Sequence, residues 1–177
     1  LRKARPEIAD WLKEFASKPF DLDLMREFLE APAPATEDEL KQALRRLRQR
    51  VMATLIVRDL GGHAPLAEVV ETMTQLAEIT TNFAACFIHR QLATQFGEPL
   101  DAQGQAQRLL IVGMGKLGGR ELNVSSDVDY IFIYPEDGET AGSPEGGRRI
   151  DAYNFFARLG KRLIAVLNEV TSDGQVF

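Results

Sequence analysis

Cysteine is almost absent from this chain. Cys86 is the only one in 177 residues, so no internal disulfide can staple the fold, and a buried apolar core has to hold it together. Cys86 lies in the apolar stretch FAACFI and reads as a core thiol in a chain of cytoplasmic character. Histidine is scarce as well, with two residues. His63 and His89 have no second histidine or carboxylate at metal-ligand spacing, which excludes a histidine-based zinc site and leaves them as surface or capping residues. No apolar run approaches the ~20 residues of a membrane span, and no signal-peptide pattern opens the chain. A basic excess is missing too: 26 acidic against 21 basic residues give a formal net charge of -5, which argues against a general nucleic-acid binder. There is no internal repeat.

What is present is 45% hydrophobic and 27% charged, the composition of a globular protein. Residues 1–100 read as a helical region. Ile8, Trp11, Leu12 and Phe15, then Leu22, Met25, Phe28 and Leu29, recur at helical spacing with a break near Pro19, predicting two short helices. APAPAT (31–36) cannot sustain a helix, and Thr36 with Glu39 forms a capping-box pattern that should start a new one. Leu40, Leu44, Leu47, Val51 and Leu55 form its stripe; it should end at Gly61 and Gly62, with Arg45, Arg46, Arg48 and Arg50 on a solvated face. Pro65 can open a long helix with Leu66, Val69, Met73, Leu76, Thr80, Phe83 and Phe87 as its seam. After a polar linker (97–107) the pattern changes. Residues 101–177 read as strand, glycine turn, strand, a mobile Gly/Pro-rich loop (135–149) beside the site, and a helix over about 150–170 with Tyr153, Phe156, Leu159, Leu163, Val166 and Val170 inward. The fold class is α+β.

The chemistry concentrates in LLIVGMGKLGGRELNVSSDVDYIFIY (109–134). Side chains alternate along a strand, so Asp127, Asp129, Ile131 and Ile133 share one face and Val128, Tyr130, Phe132 and Tyr134 the other. The Cα atoms of two such carboxylates lie about 6–7 Å apart, suited to divalent cations paired at about 3.5–4 Å. Mg²⁺ fits, being held by one or two carboxylates with phosphates and water completing its shell. Gly113, Gly115, Gly118 and Gly119 free the backbone to approach a polyphosphate, while Ser125 and Ser126 offer hydroxyls beside the carboxylates. Lys116 and Arg120 are either phosphate-neutralising cations or surface charges on a short helix. Gly113, Gly115 and Gly118 also spell GxGxxG, with Glu136 further on as a dinucleotide fold would place it. However, about nine residues between Gly118 and Asp127 are too few for the helical crossover that fold requires. A P-loop is excluded because no GK[ST] ending is present.

These motifs resemble the nucleotidyltransferase superfamily, in which a glycine turn after one strand is followed by Asp-hydrophobic-Asp on the next. GMGKLGGRELNVSSDVD resembles more closely the bifunctional glutamine synthetase adenylyltransferase/adenylyl-removing family, and ELNVSSDVD with FFARLGKRLIAVLNEVTSDGQVF is similar to its adenylyl-removing half. The other half reads nearer to ELGYGSDLD. The resemblance is strong over 109–134 and 151–177 and looser over Leu47–Gly61. It implies the first part of a nucleotidyltransferase domain with a mixed sheet (101–177), following the helical region. It further implies Mg²⁺ on Asp127 and Asp129, nucleotide phosphates held by Gly115, Lys116, Ser125 and Ser126 with help from Arg120, and phosphorolysis of adenylylated glutamine synthetase to give ADP. Glutamine synthetase, ATP or ADP, phosphate and a PII-type nitrogen signalling protein are the implied partners. Adenylylation with ATP and a non-catalytic docking role are the alternatives. The superfamily's third carboxylate is expected after VTSDGQVF, so this chain reads as an inactive fragment, with Asp173 a poor substitute.

Overall fold

The computed structural model describes residues 17–143 and 146–177. The helix expected around Ile8 to Phe15 lies outside them. The first described helix, α1 (Leu22–Glu30), begins where the Asp21 carboxylate accepts from the Leu24 amide, and it buries Met25 and Leu29. Thr36 then starts α2 (Glu37–Leu60) through the complete capping box foreseen from Thr36 and Glu39, an arrangement that contributes about 1 kcal/mol. Leu40, Leu44, Leu47, Val51 and Leu55 are all buried.

The turn through Gly61 and Gly62 leads into α3 (Leu66–Phe96), with Pro65 at its N-cap. Val69, Met73, Leu76, Thr80 and Phe87 are buried as the seam requires, but Leu66 is exposed because it sits in the first turn, before the helix meets its neighbours. Arg58 closes the α2–α3 corner, donating from Nε to Glu68 at 2.7 Å and from Nη2 to the His63 carbonyl at 3.1 Å.

Two strands follow, β1 (Leu110–Gly113) and β2 (Tyr130–Ile133), paired antiparallel with Leu110 opposite Ile133 and Gly113 opposite Tyr130. Of the expected mixed sheet, the described residues contain this antiparallel pair. A single turn of helix, α4 (Gly115–Gly118), joins the strands. The last element is α5 (Ala152–Asn168), capped by Asp151 through the Asn154 amide. One continuous core runs from Phe20 through α1, α2 and α3 to α5 and Val176, and the inward face of the hairpin, Ile111, Val128, Tyr130, Phe132 and Tyr134, packs against it. The chain is therefore of mixed α+β class.

Several expectations from periodicity are corrected. The buried set of α5 is Ala152, Phe155, Phe156, Leu159, Leu163, Val166 and Leu167, while Tyr153 and Val170 are exposed. Asp151 sets the start of the helix, placing Tyr153 on its outer side, and Val170 lies past its end. Arg45 does not lie on a solvated face: it is completely buried. Its guanidinium donates to the Val166 carbonyl at 3.1 Å and to the carbonyls of Lys41 and Glu169, while Nε reaches Gly174 O at 2.8 Å. Arg50 packs its guanidinium over Phe28, and only Arg46 of the four is exposed. The arc of α2 that faces neighbours is thus wider than its apolar stripe. Cys86 is exposed rather than buried, because Ala84, Phe87 and Ile88 take the inward positions of its turn. The 135–149 loop is pinned at its base, with Thr140 N bonded to Ile150 O at 2.8 Å and Gly142 N to Phe96 O at 2.9 Å. It follows the far end of β2 from Asp129.

Candidate functional site

The site begins where β1 leaves the sheet. Gly115 adopts φ 53°, a left-handed conformation that favours glycine, and a side chain there would project into open space. Gly118 is required for a different reason: a Cβ on it would come within 2.6 Å of the Gly113 carbonyl oxygen. One glycine therefore shapes an open edge, and the other lets the turn close on itself.

This turn is tied to the strand that follows it. The Met114 amide donates to the Asp129 carbonyl at 2.9 Å, so the glycine turn and the second aspartate are fastened side by side. Leu122 is fully buried in the link between them, and Val128 packs on the core. Asp127 and Asp129, expected on the second strand, lie just ahead of β2, which begins at Tyr130. They are exposed while Val128 and Tyr130 are half-buried, so the alternation of a strand extends into this segment. No cation pairs with either carboxylate among the described residues.

The serines are organised by Asn123, a residue that motif spacing alone does not single out. Its Oδ1 accepts from Ser125 N at 3.1 Å, Ser125 Oγ at 3.2 Å and Ser126 Oγ at 2.8 Å. Lys116 Nζ lies 3.5 Å from Ser126 Oγ. Gly115, Lys116, Ser126 and the two aspartates are thus held on one connected frame, with Ser125 on the same asparagine.

Arg120 is engaged elsewhere. It takes φ 57°, unusual for a non-glycine residue, and turns its guanidinium to α3, 2.7 Å from Glu71 Oε1 and 2.7 Å from Glu78 Oε1. Hydrogen bonding to Arg120 holds the Glu71 carboxyl below its ordinary range. These partners are half-exposed, so each pair contributes only about 0.2–1 kcal/mol. Glu71→Gln with Glu78→Gln should lower the denaturant midpoint slightly, and most of that loss should disappear in 1 M salt. A salt-independent loss would show that the carboxylates act by packing instead.

His89, expected at the surface, is buried. Its Nε2 lies 2.7 Å from Glu98 Oε2, and Arg108 Nη1 reaches both groups, 2.7 Å from the same carboxylate oxygen. Burial pushes the His89 pKa below its usual value, the Glu98 hydrogen bond opposes that, and the Arg108 charge adds to it. Burial favours the neutral imidazole in the fold, so its contribution is present above the unfolded value near 6.5 and is lost as pH falls from there through the lower value of the fold. Denaturant midpoints measured from about pH 8 to about pH 5.5 should therefore decline, and His89→Gln should flatten the decline.

As metal ligands, two neighbouring unpaired carboxylates are the donor set that Mg²⁺ uses. Among the described residues no group of three or more His, Cys, Asp or Glu is placed to hold a metal ion, so any full shell needs donors beyond this pair. No described helix is long and apolar enough to cross a membrane.

The model of the glutamate-ammonia ligase adenylyltransferase family matches residues 3–177. The chain belongs to that family. It is 49% identical over 178 residues to the bifunctional glutamine synthetase adenylyltransferase/adenylyl-removing enzyme of Chromobacterium violaceum, covering 100% of this chain and 19% of the relative. The enzymes of the same name from Nitrosomonas europaea and Burkholderia pseudomallei are 49% and 47% identical over 179 residues, each covering 98% of this chain and 19% of the relative. The chain thus spans about a fifth of the length of these curated relatives.

Proposed function

We propose that this chain supplies the front of a nucleotidyltransferase site that removes AMP from an adenylylated tyrosine of glutamine synthetase by phosphorolysis. The observation that carries the reading is the pair of exposed, unpaired carboxylates, Asp127 and Asp129, with the second fastened to the glycine turn through Met114. In the reaction an oxygen of inorganic phosphate bonds to the AMP phosphorus as the bond from phosphorus to the tyrosyl oxygen breaks. ADP forms and the tyrosyl oxygen takes up a proton.

Asp127 and Asp129 would hold Mg²⁺, which when bound supplies positive charge against the phosphates. Gly115 leaves the turn's backbone open, so its amides can face phosphate oxygens. Ser125 and Ser126, oriented by Asn123, present hydroxyls beside the carboxylates, and Lys116 adds charge next to Ser126. Arg120, with two glutamates on it, serves to fasten the turn to α3. The removing direction is favoured by Asn123 and Ser125, since the adenylylating wording ELGYGSDLD has glycine in place of both, whereas Ser126 is common to the two. By family logic, a PII-type signalling protein regulates the intact enzyme in the cytoplasm.

The test incubates the intact protein with adenylylated glutamine synthetase, Mg²⁺ and phosphate, following ADP by chromatography; a parallel tube holds unmodified synthetase and ATP. ADP that is lost with Asp127→Asn supports the reading. AMP transfer in the second tube alone, equally lost in that variant, would keep the site and reverse the direction.

A further inference from the structure

Beyond the far end of β2, a concavity of about 460 Å³ is bounded by Phe96, Arg148, Arg149, Asn154 and Arg158, with Glu139 and Asp151 also on its wall. This size falls within the ~300–1,000 Å³ of small-molecule sites. On a chain with a net charge of -5, three arginines line this concavity without an ion pair to a carboxylate among the described residues.

Arg158 lies over the Phe96 ring, 5.2 Å from its centroid. Arg149 runs beside Gly142, where an added Cβ would lie 3.5 Å from Arg149 Cγ. Asp151 on the wall caps α5, its Oδ1 accepting from Asn154 N at 2.7 Å and its Oδ2 from Asn154 Nδ2 at 2.8 Å. Glu139 is the remaining carboxylate, on the exposed rim.

The base beneath the arginines is built rather than loose. Thr140 is buried, its amide donates to Ile150 O at 2.8 Å, and its Oγ1 accepts from Ile150 N at 3.1 Å. Ala141 N and Gly142 N close onto the end of α3 through Glu98 O and Phe96 O. Planar forks on a fixed base suit the paired oxygens of a phosphate better than a lone halide or a carboxamide. An apolar wall of Phe96 and Ile150 stands beside them.

We propose that Arg148, Arg149 and Arg158 form an anion site for a small phosphate-bearing ligand of up to nucleotide size, separate from the Asp127–Asp129 edge. Inorganic phosphate and a nucleotide polyphosphate share this chemistry. The site does not depend on the catalytic reading, because it uses none of the same residues.

The test labels arginines of the intact protein with phenylglyoxal and reads the rate at each residue by mass spectrometry, with EDTA present and in an Asp127→Asn, Asp129→Asn background. Probes at matched ionic strength are sodium chloride, inorganic phosphate, ATP and a polyglutamate peptide. By mass action, labelling of all three should slow about tenfold at ten times the dissociation constant, while exposed Arg46 keeps its chloride rate. Protection by phosphate and ATP alike marks an oxyanion site, and protection by ATP alone one that also needs the nucleoside. Arg149→Gln should raise the half-protecting concentration at Arg148 and Arg158 about tenfold, the loss of one charge-assisted hydrogen bond. Equal rates with chloride, phosphate and ATP would overturn the proposal. So would protection by polyglutamate alone, which would instead assign the face to an acidic protein segment.

Discussion

Asp127→Asn in the intact protein is expected to reduce ADP release by about 10³-fold or more, the scale of removing a group that stabilises transition-state charge, and Asp129→Asn is expected to do the same. The two losses should not add, because both substitutions empty one site. Neither carboxylate is hydrogen-bonded or ion-paired among the described residues, so thermal midpoints should stay within about 1 °C of the parent, as for surface substitutions. This pairing of lost activity with kept stability separates a metal-holding role from a structural one. Excess EDTA should reproduce the loss and added Mg²⁺ should reverse it. Full turnover in the double variant would refute the assignment and leave a docking segment as the remaining role.

The largest stability effect should come from Arg45→Ala. The last carbonyls of a helix have no partner within it, and Arg45, fully buried on α2, is what satisfies Val166 and Glu169 at the end of α5. Its charge also meets the negative end of the helix dipole. Burial lowers the Arg45 pKa, with Glu169 and Asp173 opposing that shift, so the guanidinium is held by geometry as well as charge. Truncation leaves the buried Val166 carbonyl and the neighbouring Glu169 carbonyl without Arg45's donors, at about 1–3 kcal/mol each. A total of about 3 kcal/mol or more corresponds to a fall of roughly 6–12 °C for a chain of this size. Arg45→Lys should recover only part of this, since an ammonium cannot span carbonyls from Lys41, Val166, Glu169 and Gly174 at once. A midpoint unchanged in Arg45→Ala would show that α5 is held by its apolar face alone.

The amino-acid sequence by itself determined the elements whose causes are local. Thr36 and Glu39 form a capping box within one turn, and the stripe from Leu40 to Leu55 needs only the helical period to declare itself. The alternation from Asp127 to Tyr134 follows from strand geometry, so the face bearing the aspartates could be read before any partner strand was known. Tertiary structure decided what depends on neighbours distant in sequence. Whether Arg45 is solvated turns on the end of α5, more than a hundred residues away, and whether His89 is buried turns on Glu98 and Arg108 closing over it. Arg120 reads as either a phosphate-neutralising cation or a surface charge, and its engagement with Glu71 and Glu78 of α3 is set by the tertiary structure. Asn123 becomes visible as the organiser of two serines only through its contacts. Those contacts are local in sequence but depend on how the link turns. The physical reason is common to Arg45, His89 and Arg120: backbone periodicity is set within a few residues, whereas the surroundings of an ionisable side chain are set by whichever elements fold against it.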